Sequence, residues 1–202
     1  MTYKKSSFLK QLAVSASVMT LVACTGAKKQ TLNPPKVPRV GKLEMVAISS
    51  FDGKDGALFR KELQSLLMND KLGGFVVVTS SKKADGVFSG RVVDSSVSSR
   101  SYSKEIEDCD REGLLKRCKE GTLRKYNVQC VDRSANFQVV VSATKVKTGE
   151  VIYSSTTTGK QADTHCKNQS TAPASDSALL QKARAKALEK IRKDVAPYYT
   201  EE

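Results

Sequence analysis

The spacing of apolar residues changes several times along the chain, and each change marks an element. Order begins near Lys42: Leu43, Val46, Ala47 and Ile48 form a compact run that predicts a buried strand, ended by Ser49-Ser50-Phe51-Asp52-Gly53. From Gly56 to Asp70 the period lengthens. Phe59, Leu63, Leu66 and Leu67 fall at i, i+4, i+7 and i+8, which predicts an amphipathic helix stopped before Gly73-Gly74. Phe75-Val76-Val77-Val78-Thr79 reads as a second buried strand, and 86–97 as a third, with Val87, Phe88, Val92 and Val93 as its apolar content. Residues 98–122 break the pattern. They are Ser-rich and charged, hold the turn-like Asp110-Arg111-Glu112-Gly113, and read as a variable insertion. Alternation returns over 123–133 and 135–145, where Phe137, Val139, Val141 and Ala143 share one face. Thr148-Gly149 then turns the chain into 151–158, a β-branched, edge-like strand. The strongest helix covers 175–195. Leu180, Ala183, Ala187, Ile191 and Val195 line its apolar face, Lys and Arg its polar one, and Pro197 stops it. This order predicts an α+β fold over 42–199, with a mixed, largely antiparallel sheet, two main helices packed on it, and a single domain.

The N-terminal pattern is of another kind. Lys4, Lys5 and Lys10 make a basic start without acids, and 12–23 is apolar or small, about the length of a signal-peptide core and too short to span a bilayer. It closes with Leu21-Val22-Ala23-Cys24, which resembles the lipobox of bacterial lipoproteins. The resemblance implies that residues 1–23 are a cleaved signal peptide and that Cys24 carries a diacyl group and an acylated, typically palmitoylated, amine. Thr25, where an Asp would favour inner-membrane retention, implies the outer membrane with the domain facing the periplasm. Residues 24–41 hold three of the five prolines and read as a semi-stiff tether. Sixteen residues at roughly 3.1 Å each would hold the domain about 50 Å from the bilayer.

Loss of the leader takes the formal charge from +13 to +10 and leaves 179 residues, enough for one core. The basic residues are scattered and not interleaved with aromatics, so nucleic acid is not implied. Anionic envelope components are: lipid head groups, peptidoglycan carboxylates or an acidic protein surface. With Cys24 acylated, Cys109, Cys118, Cys130 and Cys166 remain, an even set suited to an oxidising compartment. Of three pairings, Cys109–Cys118 and Cys130–Cys166 are favoured. No C-x₂₋₄-C spacing exists and His165 abuts Cys166, so neither metal nor cofactor is implied.

Groups suited to catalysis are thin. His165 is the only histidine and lies in a segment read as loop, with no marked nucleophile. Glu105, Glu107, Asp108 and Asp110 lack the spacing of a calcium loop. Gly53-Lys54-Asp55-Gly56 precedes a helix but lacks the Lys-Ser/Thr of a phosphate loop. Tryptophan is absent, which argues against a sugar-stacking cleft. The reading is non-enzymatic.

Met45-Val46-Ala47-Ile48-Ser49-Ser50-Phe51-Asp52-Gly53, the helix after it, the Phe-Val-Val-Val strand, the Ala84-Asp85-Gly86 lead-in and the late Thr148-Gly149-Glu150-Val151 hairpin together resemble one known arrangement. It is the periplasmic domain of the curli-export lipoproteins, the lipoprotein activators of penicillin-binding proteins and the TolB N-terminal domain. The resemblance implies a protein that binds or activates another envelope protein, as a cell-wall or secretion assembly factor. The alternative is a structural subunit of an export channel or trans-envelope complex, hence a homo-oligomer. The four-cysteine set departs from those families. A pore is disfavoured, because Thr and Ser fill most of the would-be lipid face of 150–158. Candidate contacts are the 98–122 insertion and the basic face of the last helix, Lys182, Arg184, Lys186, Lys190, Arg192 and Lys193.

Overall fold

The computed structural model describes residues 30–112 and 117–201. Residues 1–23, read as a signal peptide, and Cys24 lie outside the described residues. Five strands form one mixed, mostly antiparallel sheet on which two helices pack. In chain order the main elements are β1 (Gln30–Asn33), β2 (Met45–Asp52), α1 (Gly56–Asn69), β3 (Val76–Val78), β4 (Gly86–Asp108), β5 (Arg111–Glu112), β6 (Arg117–Cys118), β7 (Arg124–Lys145), β8 (Val151–Cys166), α2 (Asp176–Val195) and β9 (Tyr198–Glu201). The sheet runs β3-β2-β4-β7-β8. β2 lies parallel to both neighbours, since α1 and then the Ser80–Asp85 stretch carry the chain back to the same end, and β4-β7-β8 are antiparallel.

Alternation places one face of this sheet against the helices. Phe137, Val139, Val141 and Ala143 of β7 are fully buried, as read from their spacing. Phe59 of α1 packs edge-on to Phe51 of β2 (5.0 Å) and stacks on Phe137 (5.6 Å), so one ring joins helix, first strand and central strand. Burial of such a side chain contributes roughly 1.5–3 kcal/mol. The opposite face mixes polar and β-branched residues: Ser89, Ser142 and Ser154 share a row across β4, β7 and β8, as do Arg91, Val140 and Thr156, and Asp94, Gln138 and Thr158. Asp85 fixes the lead-in to β4, its carboxylate accepting from the backbone N–H groups of Met45 (2.9 Å) and Glu44 (3.3 Å). Gly149, at φ +70°, makes the β7–β8 turn.

Several expectations are corrected. Residues 98–108 are not an irregular insertion; they continue β4, paired residue for residue with β7. The strands read as 123–133 and 135–145 are one, and β8 runs on to Cys166. In α2, Leu179 is buried while Leu180 is only partly covered, and Arg184 faces inward, not toward solvent. From Gln30 onward the supposed tether is docked. β1 pairs with β9, the backbone N–H groups of Lys36 and Val37 donate to the Lys193 and Asp194 carbonyls at the end of α2, and Val40 is fully buried.

Candidate functional site

α2 covers the sheet only as far as its own N-terminus. There Ser175 caps the helix by accepting from the Ala178 N–H (3.2 Å), and the Arg133 guanidinium of β7 donates to the Ala174 carbonyl and the Asp176 carboxylate. Beyond that clamp the sheet continues without helices, and β8 ends at Cys166 opposite Cys130. What remains is a two-stranded arm, Ser103 to Asp108 paired with Arg124 to Gln129.

A bare two-stranded ribbon is marginal in water. This one is bonded at both ends. At its root, where the third strand leaves, Cys130 of β7 is joined to its register partner Cys166 of β8. At its tip Cys109 is joined to Cys118, closing the short ladder of β5 and β6. Hydrogen bonds order the tip: Asp110 N–H donates to Thr122 Oγ1 (3.1 Å), Thr122 Oγ1 donates to the Lys119 carbonyl (2.8 Å), and Lys119 N–H donates to the Asp110 carbonyl (2.8 Å). Gly121, at φ +76°, supplies the left-handed residue of the turn.

The two faces of the arm differ. Register puts Tyr102, Lys104, Ile106, Tyr126 and Val128 on the face that carries the Cys130–Cys166 bond, with Lys104 and Tyr126 exposed, Tyr102 and Ile106 half-buried and Val128 buried. Glu105, Glu107 and Lys125 occupy the other face, with Lys125 Nζ 2.9 Å from Glu107 and 3.5 Å from Glu105. The acidic residues singled out in the sequence are thus spread along a strand and largely paired with basic neighbours, Asp110 with Arg124 at 3.8 Å included. Such exposed pairs contribute at most about 1 kcal/mol each and set register more than stability. The arrangement can bind through Tyr102, Ile106 and Tyr126, with the Lys104 ammonium set among them.

The remaining candidates fall elsewhere. His165 sits in β8 opposite Val131, within a strand and not in a loop. Among the described residues no cluster of three His, Cys, Asp or Glu is placed to hold a metal ion. Gly53 and Asp55 form a turn with left-handed φ values, and the Asp55 carboxylate accepts a 2.5 Å hydrogen bond from Ser95 Oγ of β4, which ties the start of α1 to the sheet. On α2, Lys186 and Lys190 donate to the Lys160 and Thr158 carbonyls of β8, so two lysines of the expected basic face cover the outer edge of the sheet. Arg192 pairs with the buried Asp70 (3.0 Å) at the floor of an open groove of about 740 Å³ between α1 and α2. One arm strand falls within 123–133, read from alternation; its partner, 103–108, is Ser-rich and charged and buries neither face in a helix layer, so its pattern does not read as a strand. The further signal was the pair of cysteines at each end.

β7 alone is 22 residues long, roughly 70 Å at about 3.3 Å per residue. The docked N-terminal segment sits at the end of α2, beside the β7–β8 turn, where Arg39 lies 3.5 Å from Glu150. The arm leaves from the opposite end of the same sheet. No protein-family model matches the chain, and no curated protein matches it. Among solved structures it is similar to the PelC dodecamer from Paraburkholderia phytofirmans, with 16% identity, 85% of this chain and 99% of that chain covered, and a TM-score of 0.41. A single-substitution variant of that dodecamer in a second crystal form gives 13% identity, the same coverage and a TM-score of 0.42.

Proposed function

We propose that this chain is an outer-membrane lipoprotein, acylated at Cys24 and facing the periplasm, that holds its disulfide-bonded arm out to another envelope protein without catalysing a reaction. The observation that carries the reading is the polarity of the sheet: the N-terminal segment docks at one end, and the arm with its Tyr102, Ile106 and Tyr126 stripe leaves from the other. A lipid anchor raises the local concentration of a partner confined to the same envelope, so a modest stripe suffices for binding. The test is photo-crosslinking from position 126 in intact cells, with Cys24→Ser as the control for anchoring. A heterologous adduct lost in Cys24→Ser supports the reading. An adduct between two copies of this chain would favour the subunit of a ring or trans-envelope complex instead, and no adduct from any arm position would remove the arm from the function.

A further inference from the structure

The two chain ends meet. β1 and β9 form a separate antiparallel ribbon with Leu32 directly opposite Tyr199. The two faces of the ribbon are unequal. On one, Asn33 Nδ2 donates to Thr200 Oγ1 and to the Thr31 carbonyl (both 3.0 Å), and the Lys193 ammonium lies 5.7 Å from the Tyr198 ring centroid, so the polar groups there satisfy one another. On the other, Leu32 and Tyr199 stand 53% and 50% exposed, flanked at the end of the ribbon by the Gln30–Glu201 register pair.

Their position gives this pair an occupant. β1 begins at Gln30, only six residues after Cys24, and six residues reach at most roughly 20 Å when fully extended. The stand-off of about 50 Å implied by a free tether is therefore out of reach, because the ribbon and the docked 36–40 segment take up the rest of that length. An acyl group on Cys24 thus keeps the start of the ribbon within roughly 20 Å of the bilayer surface. Leucine beside an amphipathic tyrosine suits the boundary between head groups and acyl chains, and the exposed Lys36 lies three residues past the end of β1. We propose that the Leu32–Tyr199 face of the β1–β9 ribbon rests in the phospholipid head-group layer, as a second, non-covalent contact that orients the domain and points the arm away from the membrane. This rests on acylation of Cys24.

The chain contains no tryptophan, so a single one reports its own surroundings. Tyr199→Trp and, as control at the arm end, Leu123→Trp (60% exposed) would be prepared in the lipoprotein purified from membranes, and in the chain from Cys24 coupled there to a maleimide phospholipid. Both would be placed on phosphatidylethanolamine–phosphatidylglycerol vesicles containing lipids brominated near the head group. The expected result is a blue shift and quenching for Tyr199→Trp and neither for Leu123→Trp. Equal quenching of the two probes, or none at position 199 in the lipid-coupled chain, overturns the inference. Mass spectrometry showing Cys24 unmodified in the purified protein would instead defeat the lipoprotein reading, while the coupled chain still reads the ribbon.

Discussion

Arg184 of α2 and Glu62 of α1, 122 residues apart, form a two-point ion pair. Nε lies 2.6 Å from Oε2 and Nη2 lies 2.8 Å from Oε1. The guanidinium also lies 5.9 Å from the Phe137 centroid, within cation–π range. Burial is unequal: the Arg184 side chain is 7% exposed, that of Glu62 29%. Loss of the acid should therefore cost more than loss of the base. Glu62→Met strands a buried charge and should destabilise by about 3–5 kcal/mol, whereas Arg184→Met leaves a carboxylate that water can reach and should cost less than about 3 kcal/mol. Urea unfolding of both and of the double variant checks this, with the double variant expected nearer wild type than Glu62→Met. Equal costs for the two single variants would contradict it.

Gly159 of β8 sets how closely α2 approaches the sheet. A methyl group there would lie 1.8 Å from the Ala183 carbonyl oxygen and 2.9 Å from the Ala187 backbone nitrogen. Both obstacles are helix backbone, which cannot swing aside as a side chain can. Gly159→Ala should destabilise by about 3 kcal/mol, at the upper end of overpacking costs. At Gly74 a methyl meets nothing within 4 Å, so Gly74→Ala should stay within about 0.5 kcal/mol of wild type in the same melts.

These two contacts also show where sequence reading stops. The α2 stripe of Ala183, Ala187, Ile191 and Val195 was legible because apolar spacing encodes the buried face of a helix. Arg184 was assigned to the solvated face on charge alone, since its partner is 122 residues away. Alternation reads 123–133 and 135–145 as two strands, yet the Arg133 charge meets Asp176 at the start of α2 and the ladder runs on through Ser134. The Pro-rich 34–38 stretch has the composition of a linker, and its docking depends on the backbone of α2, which composition does not register. Of the candidate site, the alternation over 123–133 and the paired cysteines were legible, while the pairing of 103–108 with that strand was not.

The two disulfides should behave differently when removed. Cys130–Cys166 ties β7 to β8 where both still belong to the main sheet, and closes a separation of 36 residues. Replacement of both cysteines by serine should lower global stability by about 2–4 kcal/mol. Cys109–Cys118 closes a separation of nine residues beyond the last helix contact. Its removal should leave the main melting transition nearly in place. The backbone amides of Ser103 to Asp108 and Arg124 to Gln129 should lose hydrogen-exchange protection, since local opening then costs less than global unfolding. Unchanged protection in the arm would show that its strands need no bond at the tip.

Tyr153 gives the fold an alkaline limit. Its hydroxyl, buried beneath the end of α2, donates to Asp194 Oδ2 at 3.0 Å. Burial, more than the nearby Asp194 charge, pushes the phenol well above its ordinary value of about 10, and a hydrogen bond with Ser155 opposes the shift only in part. Between those two values the folded state holds a proton that the unfolded state has released. The contribution is therefore complete below about pH 10 and is lost as pH climbs above it. Tyr153→Phe removes both the hydrogen bond and the titration. At about pH 8 the variant should melt below wild type, by the equivalent of about 1 kcal/mol for one hydrogen bond. As pH rises past about 10 the wild-type Tm should fall more steeply and the two curves should converge. Thermal melts across that range, with the tyrosinate absorbance followed in parallel, decide the matter: a gap that stays constant with pH would mean that the Tyr153 proton is not linked to folding.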